Sequence, residues 1–229
     1  MKVISIDIGI KHMAHCLFNV SNSISIDDWD VIDLTDEYKC ACSKQATHQL
    51  NQTYYCKLHS CYTSKNLIEL ISLCTKNTLS LGTSTEMIKS LKRETRPIAP
   101  LSLVEIGKQI IKRYAKFNAD VVLIENQIGP LASKMKSIQG LMVQYWLMRG
   151  AKVECISAGN KLKLFHSEKT TYTERKKLSI HYTTKMLELN NFNTTFLSHK
   201  KKDDLADTFL QGIWYFHNNN CGLLKINCS

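Results

Sequence analysis

Hydrophobic positions along the chain fall into short strand-like runs and helical stripes separated by polar stretches. Val3 to Ile8 is a compact apolar run rich in β-branched residues and closed by Gly9, as expected of a buried strand. Ala14 to Val20 and Asp30 to Leu34 read as the next two strands, with Ser21-Asn22-Ser23 as a turn, so the chain opens with an antiparallel meander. The pattern then breaks. Residues 36–95 are polar, rich in Ser, Thr and Lys, and hold a cysteine cluster, which predicts an inserted subdomain with a helix over Leu67 to Cys74. After Pro97 and Pro100 the pattern resumes: Leu103, Ile106, Ile110, Ile111 and Tyr114 mark an amphipathic helix within Leu101 to Phe117. Val121 to Glu125 is another buried strand, Ser133 to Gly150 a helix closed by its glycine, and Ala151 to Ile156 a further strand. Thr173 to Leu189 and Lys202 to Phe216 are helical. The order βββ–α–β–α–β–α–α predicts an α/β fold, a mixed sheet with helices on both faces, built from residues 1–35 and 96–229 around the insertion at 36–95.

A chain of 229 residues can bury one good core plus a small appendage. With 44% hydrophobic and 22% charged residues, its composition is that of a globular protein. No apolar stretch approaches the roughly 20 residues needed to span a bilayer. The opening run is too short for a signal-peptide core. The expectation is a soluble protein without membrane association, held in a reducing compartment inside the cell.

Nine cysteines, an odd count without a secretory signal, point to metal binding rather than a disulfide framework. Cys40-x-Cys42, thirteen residues, then Cys56-x-x-His59 form a plausible tetrahedral set for structural Zn²⁺, although the first pair has one intervening residue where two are usual. Cys61 and His48 are alternative ligands, and Tyr54-Tyr55 could supply a hydrophobic cap. Zinc would then provide the insert's folding energy. Cys16, Cys74 and Cys155 read as small core hydrophobes.

The net charge is +10, and Lys161 to Lys202 carries ten Lys/Arg against three Glu, a local balance of +7. A polyanionic partner fits that concentration, nucleic acid first. Four acids then change the picture. Asp7 sits inside an apolar strand, where an unpaired carboxylate is costly and needs a counter-charge or metal. Glu125 ends the strand Val121-Val122-Leu123-Ile124, and Asp204 and Asp207 stand three apart on the last helix, projecting from one face while Leu205 and Ala206 pack inward. Each alone suits a turn, a cap or dipole compensation. Together they form the arrangement that holds two divalent cations for in-line phosphoryl displacement, with Mg²⁺ favoured by carboxylate ligands.

Ile4-Ser5-Ile6-Asp7-Ile8-Gly9-Ile10-Lys11, Leu123-Ile124-Glu125-Asn126-Gln127 and Lys201-Lys202-Asp203-Asp204-Leu205-Ala206-Asp207-Thr208 together resemble the RuvC-type Holliday junction resolvases. Within them the chain is most similar to the branch of poxviruses, other large DNA viruses and fungal mitochondria. The final motif, two Asp three apart after a basic pair, is fairly specific, whereas Asp-x-Gly alone is weak. The resemblance implies an RNase H-like fold, Mg²⁺ (replaceable by Mn²⁺) on Asp7, Glu125, Asp204 and Asp207, and no ligand role for Asp203. It also implies a homodimer that nicks four-way DNA junctions, in the host cytoplasm if the setting is viral. Lys201, Lys202 or His199 could stabilise developing phosphate charge or simply face DNA. Leu141, Met142, Tyr145 and Trp146 make the helix over Ser133 to Gly150 apolar on more than one face, suited to core packing or to a dimer seam, with Gly140 permitting close approach. The rivals are an RNase H-like nuclease acting on RNA–DNA hybrid or other branched DNA, a non-catalytic zinc nucleic-acid-binding module, and an actin/sugar-kinase-like ATPase. The last lacks a second phosphate loop here.

Overall fold

The computed structural model describes residues 1–35, 38–50, 53–61, 96–98, 100–128, 133–168, 170–192, 194 and 196–225; the helix expected over 67–74 lies outside them. In chain order the elements are β1 (Lys2–Asp7), β2 (Met13–Val20), β3 (Ile24–Ile32), β4 (His48–Leu50), β5 (Thr53–Tyr55), β6 (Arg96–Pro97), α1 (Leu103–Tyr114), β7 (Val121–Glu125), α2 (Ser133–Met148), β8 (Lys152–Ile156), α3 (Tyr172–Leu189) and α4 (Lys202–Asn218). They divide into two compact units, Met1–Leu34 with Leu103–Ser229, and Thr35–Ser102.

The larger unit is built on a five-stranded sheet in the order β3-β2-β1-β7-β8, in which β1 pairs antiparallel with β2 and parallel with β7. β1 is central and covered on both faces, which is why Val3, Ile4, Ser5 and Ile6 are all buried and the sequence shows a continuous run rather than alternation. Side chains still alternate in direction. His15 of β2 meets Tyr114 of α1, whereas Phe18, of opposite parity, meets Phe209 and Phe216 of α4. Helices α1 and α4 therefore cover opposite faces. α1 buries Ile106, Gln109, Ile110 and Tyr114, one stripe of helical period. α4 buries Leu205, Phe209, Leu210, Ile213 and Phe216. Its close seat on β2 depends on Gly212, where a Cβ would stand 2.3 Å from Phe18 Cε2.

Two sequence expectations shift. The pattern places the third strand over Asp30 to Leu34, but β3 begins at Ile24, because an edge strand exposed on one face carries Asp27, Asp28 and Asp30 without breaking. Pairing with β2 is irregular between Leu17 and Phe18: Leu17 opposes Asp28 and Phe18 opposes Ile26, which leaves Asp27 as an extra residue. In α2, Ile138, Met142 and Trp146 are buried while Leu147 and Met148 are exposed, and a Cβ on Gly140 would touch nothing within 4 Å, so Gly140 makes no close approach within the described chain.

The smaller unit contains a three-stranded sheet, β5-β4-β6, with both pairings antiparallel. Neither the strands nor their order is apparent from a polar sequence, since three- and two-residue strands carry no usable periodicity.

Candidate active site

Strand parity brings the acids together. Asp7 lies two residues beyond Ser5 on β1, and Glu125 two beyond Leu123 on β7, so both face the side covered by α4. The register of that helix is fixed by Gln211, whose buried Nε2 donates to Ser5 Oγ at 3.1 Å and to the Leu123 carbonyl at 3.3 Å. Asp207 is one turn earlier on α4, linked through Lys161 to Glu125, and Asp204 a further turn earlier on the wall of the same cleft. At the opposite edge of the helix, Trp29 Nε1 donates to the Leu205 carbonyl at 3.1 Å and stacks on Phe196 at 5.0 Å. Gly9 completes the Asp-x-Gly turn: a Cβ there would lie 2.4 Å from the His12 carbonyl oxygen.

The result is a cleft of about 320 Å³ lined by Asp7, Glu125, Asp204 and Asp207. In the middle stands Lys161, whose Nζ donates to Glu125 Oε2 at 2.8 Å and to Asp207 Oδ2 at 2.9 Å. Burial opposes its charge, but Asp207, Asp7 and Glu125 outweigh that and hold its ammonium above the ordinary range. Burial pushes the Asp7 carboxyl well up despite Lys161, aided by its hydrogen bond to Glu125. For Glu125, burial is overcome by Asp7 and Lys161, so it stays below the usual value. Burial and the charge of Asp203 raise Asp204, whose Oδ2 is buried with no hydrogen-bond partner.

An orphaned carboxylate oxygen and an all-oxygen donor set are what a hard divalent ion requires, and the ammonium of Lys161 holds the place of positive charge among the acids. The residues fit Mg²⁺. Asp203 points its carboxylate at Lys176 Nζ, 2.5 Å away, and is thereby occupied.

The cations around the cleft differ from those that sequence alone suggests. Lys161, Arg175 and Lys176 line it. The charge of Lys201 partly offsets the rise at Asp204, while His199 accepts from the Lys201 backbone N–H at 3.0 Å and lies 3.8 Å from Asp30. Lys161 is legible only by topology: it follows β8, whose C-terminal end lies at the same sheet edge as Asp7 and Glu125.

In the smaller unit the side-chain donor atoms of Cys40, Cys42, Cys56 and His59 all lie within 4.8 Å of one another, a group that could hold zinc. Cys40 Sγ is 2.9 Å from His59 Nδ1, and Cys42 Sγ is 3.8 Å from Cys56 Sγ. The one-residue spacing of the first pair is accommodated by a tight turn in which Ser43, at φ +65°, donates its N–H to the Cys40 carbonyl. Burial pushes the Cys56 thiol up to about 11 in the absence of a metal. His48 instead meets Thr47 Oγ1 at 2.9 Å, and the side chain of Cys61 lies outside the described residues. Tyr55 is buried and Tyr54 packs edge-on against Tyr38.

Among known structures, the chain is similar to the fowlpox virus Holliday junction resolvase, with a TM-score of 0.52 and 16% identity over 96% of this chain and 99% of that one. A second fowlpox virus resolvase structure, in complex with Holliday junction DNA, matches with a TM-score of 0.50 and 20% identity over 96% and 99%. The fold is thus the mixed α/β, RNase H-like architecture of these resolvases. Among curated proteins, the uncharacterized protein L451 of Acanthamoeba polyphaga mimivirus is 24% identical over 94% of this chain and 74% of its own length. Residues 64–219 match the model of the family described as Poxvirus A22 protein, and the chain belongs to that family.

Proposed function

We propose that the protein is a Holliday junction resolvase, an endonuclease that hydrolyses phosphodiesters in four-way DNA junctions. The observation that carries this is the convergence of Asp7, Glu125, Asp204 and Asp207 on one open cleft, in a fold and family shared with viral resolvases. These four side chains would hold Mg²⁺. When bound there, the metal supplies Lewis-acid stabilisation of charge on the attacking and leaving oxygens of a phosphodiester. Arg175 and Lys176, at the cleft wall, attract and orient the phosphate backbone. Lys161 supplies the counter-charge to Glu125 and Asp207 before a divalent ion arrives. The basic stretch from Lys161 to Lys202 supplies sequence-independent affinity for DNA.

Paired nicks across a junction need two such clefts, so the working unit is a symmetric homodimer. Leu147 and Met148, exposed on α2, suit a part in its seam. In the inserted unit, Zn²⁺ on Cys40, Cys42, Cys56 and His59 would be structural, because four protein ligands leave no open position for chemistry. The poxvirus family and the mimivirus relative favour a viral setting, with the reaction in the host cytoplasm. Among the described residues, no helix is long and apolar enough to cross a membrane.

The test compares cleavage of a four-way junction, a linear duplex and an RNA–DNA hybrid in Mg²⁺ by the wild type and Asp7→Asn. The expected result is cleavage of the junction by the wild type alone, with junction binding retained in the variant. Near-normal cleavage by Asp7→Asn would remove the acids from the mechanism, and preferential cutting of the hybrid would replace resolution with RNase H-type hydrolysis.

A further inference from the structure

The wall of the cleft carries one side chain that hydrolysis does not require. Tyr172, the first residue of α3, lines the cleft together with the four acids, yet it is 66% exposed. Among the described Phe, Tyr and Trp residues it is the only exposed one. Its position is nevertheless well defined. Thr171 caps the helix, its Oγ1 accepting from the Glu174 N–H at 3.3 Å while Glu174 Oε2 accepts from the Thr171 N–H at 2.7 Å. Lys176 Nζ lies over the ring, 5.1 Å from its centroid, and hydrogen-bonds the Tyr172 hydroxyl, while the Arg175 guanidinium lies over the ring at 6.0 Å. Lys176 is itself anchored on Asp203, the residue next to Asp204.

A solvent-facing aromatic ring flanked by two cations matches the chemistry of a nucleotide: the ring offers a stacking face to a base, and the cations face the phosphates on either side. We propose that Tyr172 is a substrate-positioning residue that stacks on the base of a nucleotide adjoining the scissile phosphate and so fixes that phosphate over the acids. The proposal rests on the nuclease reading above and adds a base contact to it.

The experiment is a cycle between protein and DNA. Single-turnover cleavage of a four-way junction in Mg²⁺ is measured for the full-length wild type, Tyr172→Ala and Tyr172→Phe. Each is tested on the intact junction and on junctions with an abasic residue on one or the other side of the cut. Tyr172→Ala should slow cleavage of the intact junction by on the order of ten- to a hundredfold at subsaturating enzyme, the range that loss of one base–aromatic stack gives. Tyr172→Phe, which keeps the ring, should stay within about threefold of the wild type. On one of the abasic junctions the wild type should fall to the level of Tyr172→Ala, and the variant should lose nothing more. If the alanine and abasic losses instead multiply on both junctions, or if phenylalanine does no better than alanine, Tyr172 does not stack on a base. A wild type that cuts no junction would overturn the resolvase assignment itself. A thermal melt of each variant, expected to match the wild type because the ring is exposed, separates these outcomes from misfolding.

Discussion

Lys161 gives the strongest quantitative test of the acid cluster. Its side chain is 7% exposed and forms two charged hydrogen bonds, to Glu125 and Asp207. Lys161→Met keeps most of the stem volume and deletes the charge, so the cavity contribution is small and the loss is electrostatic. Removing one partner of a buried ion pair costs roughly 3–5 kcal/mol, because the other charge is left uncompensated. Here the deserted carboxylates line an open cleft, with the Asp207 side chain 33% exposed, so water screens them and keeps the cost near the lower figure. For a protein of this size each kcal/mol moves the melting temperature by about 2–4 °C. The variant should therefore melt about 6–12 °C below the wild type in EDTA.

Magnesium should reverse the order of effects. A ligand present at a hundred times its Kd stabilises the state that binds it by about 2.7 kcal/mol. In the variant the ion meets carboxylates with no ammonium among them, so Mg²⁺ should raise its melting temperature more than that of the wild type and restore most of the deficit. Asp7→Asn should do the opposite, melting above the wild type in EDTA because it removes an acid that burial disfavours, and losing its response to Mg²⁺. Differential scanning fluorimetry across a Mg²⁺ titration measures all three proteins. Equal melting of Lys161→Met and wild type in EDTA, or equal Mg²⁺ shifts, would refute a cation seated in a metal site.

Three further outcomes follow from the same structure. Elemental analysis should find about one equivalent of zinc in the purified wild type, lost in Cys56→Ser and in His59→Ala, as a four-ligand site requires; a metal-free wild type would end the zinc assignment. Gly212→Ala should lower stability in urea by about 1–3 kcal/mol, since the new methyl would overlap Phe18 and that ring is packed against Phe209 and Phe216. Asp28 is held below the ordinary carboxylate range by His15, 3.5 Å away, against burial and with help from Lys116. Its contribution should be complete above the unfolded value of about 3.9 and vanish as pH falls through the lower folded value. Urea midpoints of wild type and Asp28→Asn should accordingly differ at neutral pH and converge in acid, and a gap that stays constant would count against the pairing.

Most of the larger unit was legible in the sequence because its elements are covered on a fixed number of faces. β1 and β7 are buried on both sides and announce themselves as continuous apolar runs, and α1 is buried on one side and announces itself as a helical stripe. β3 was mislocated for the complementary reason. On an edge strand the open face tolerates Asp28 and Asp30, and an extra Asp27 breaks the alternation that would otherwise reveal it. The three-stranded sheet of the smaller unit could not be seen at all. Strands of two or three residues have no period, and the Cys/His spacing was the one usable signal there.

The acids and the lysine among them show where legibility ends. Each carboxylate stands out because it interrupts an apolar pattern, so Asp7 and Glu125 could be singled out one at a time. Lys161 interrupts nothing. It sits in a loop within a stretch already rich in lysine, where the ordinary expectation is a solvated side chain, and its burial is a consequence of fold rather than of local sequence. It follows β8, β8 is parallel to β7 and β7 to β1, and so the segment after Ile156 must leave the sheet at the edge where Asp7 and Glu125 end. Once that topology is known, one of the basic residues just beyond Ile156 has to meet the acids, because a buried cluster of carboxylates without a counter-charge would not fold near neutral pH. The sequence contained the requirement for a cation. Only the strand order could say that Lys161, rather than the lysines immediately before Asp204, would meet it.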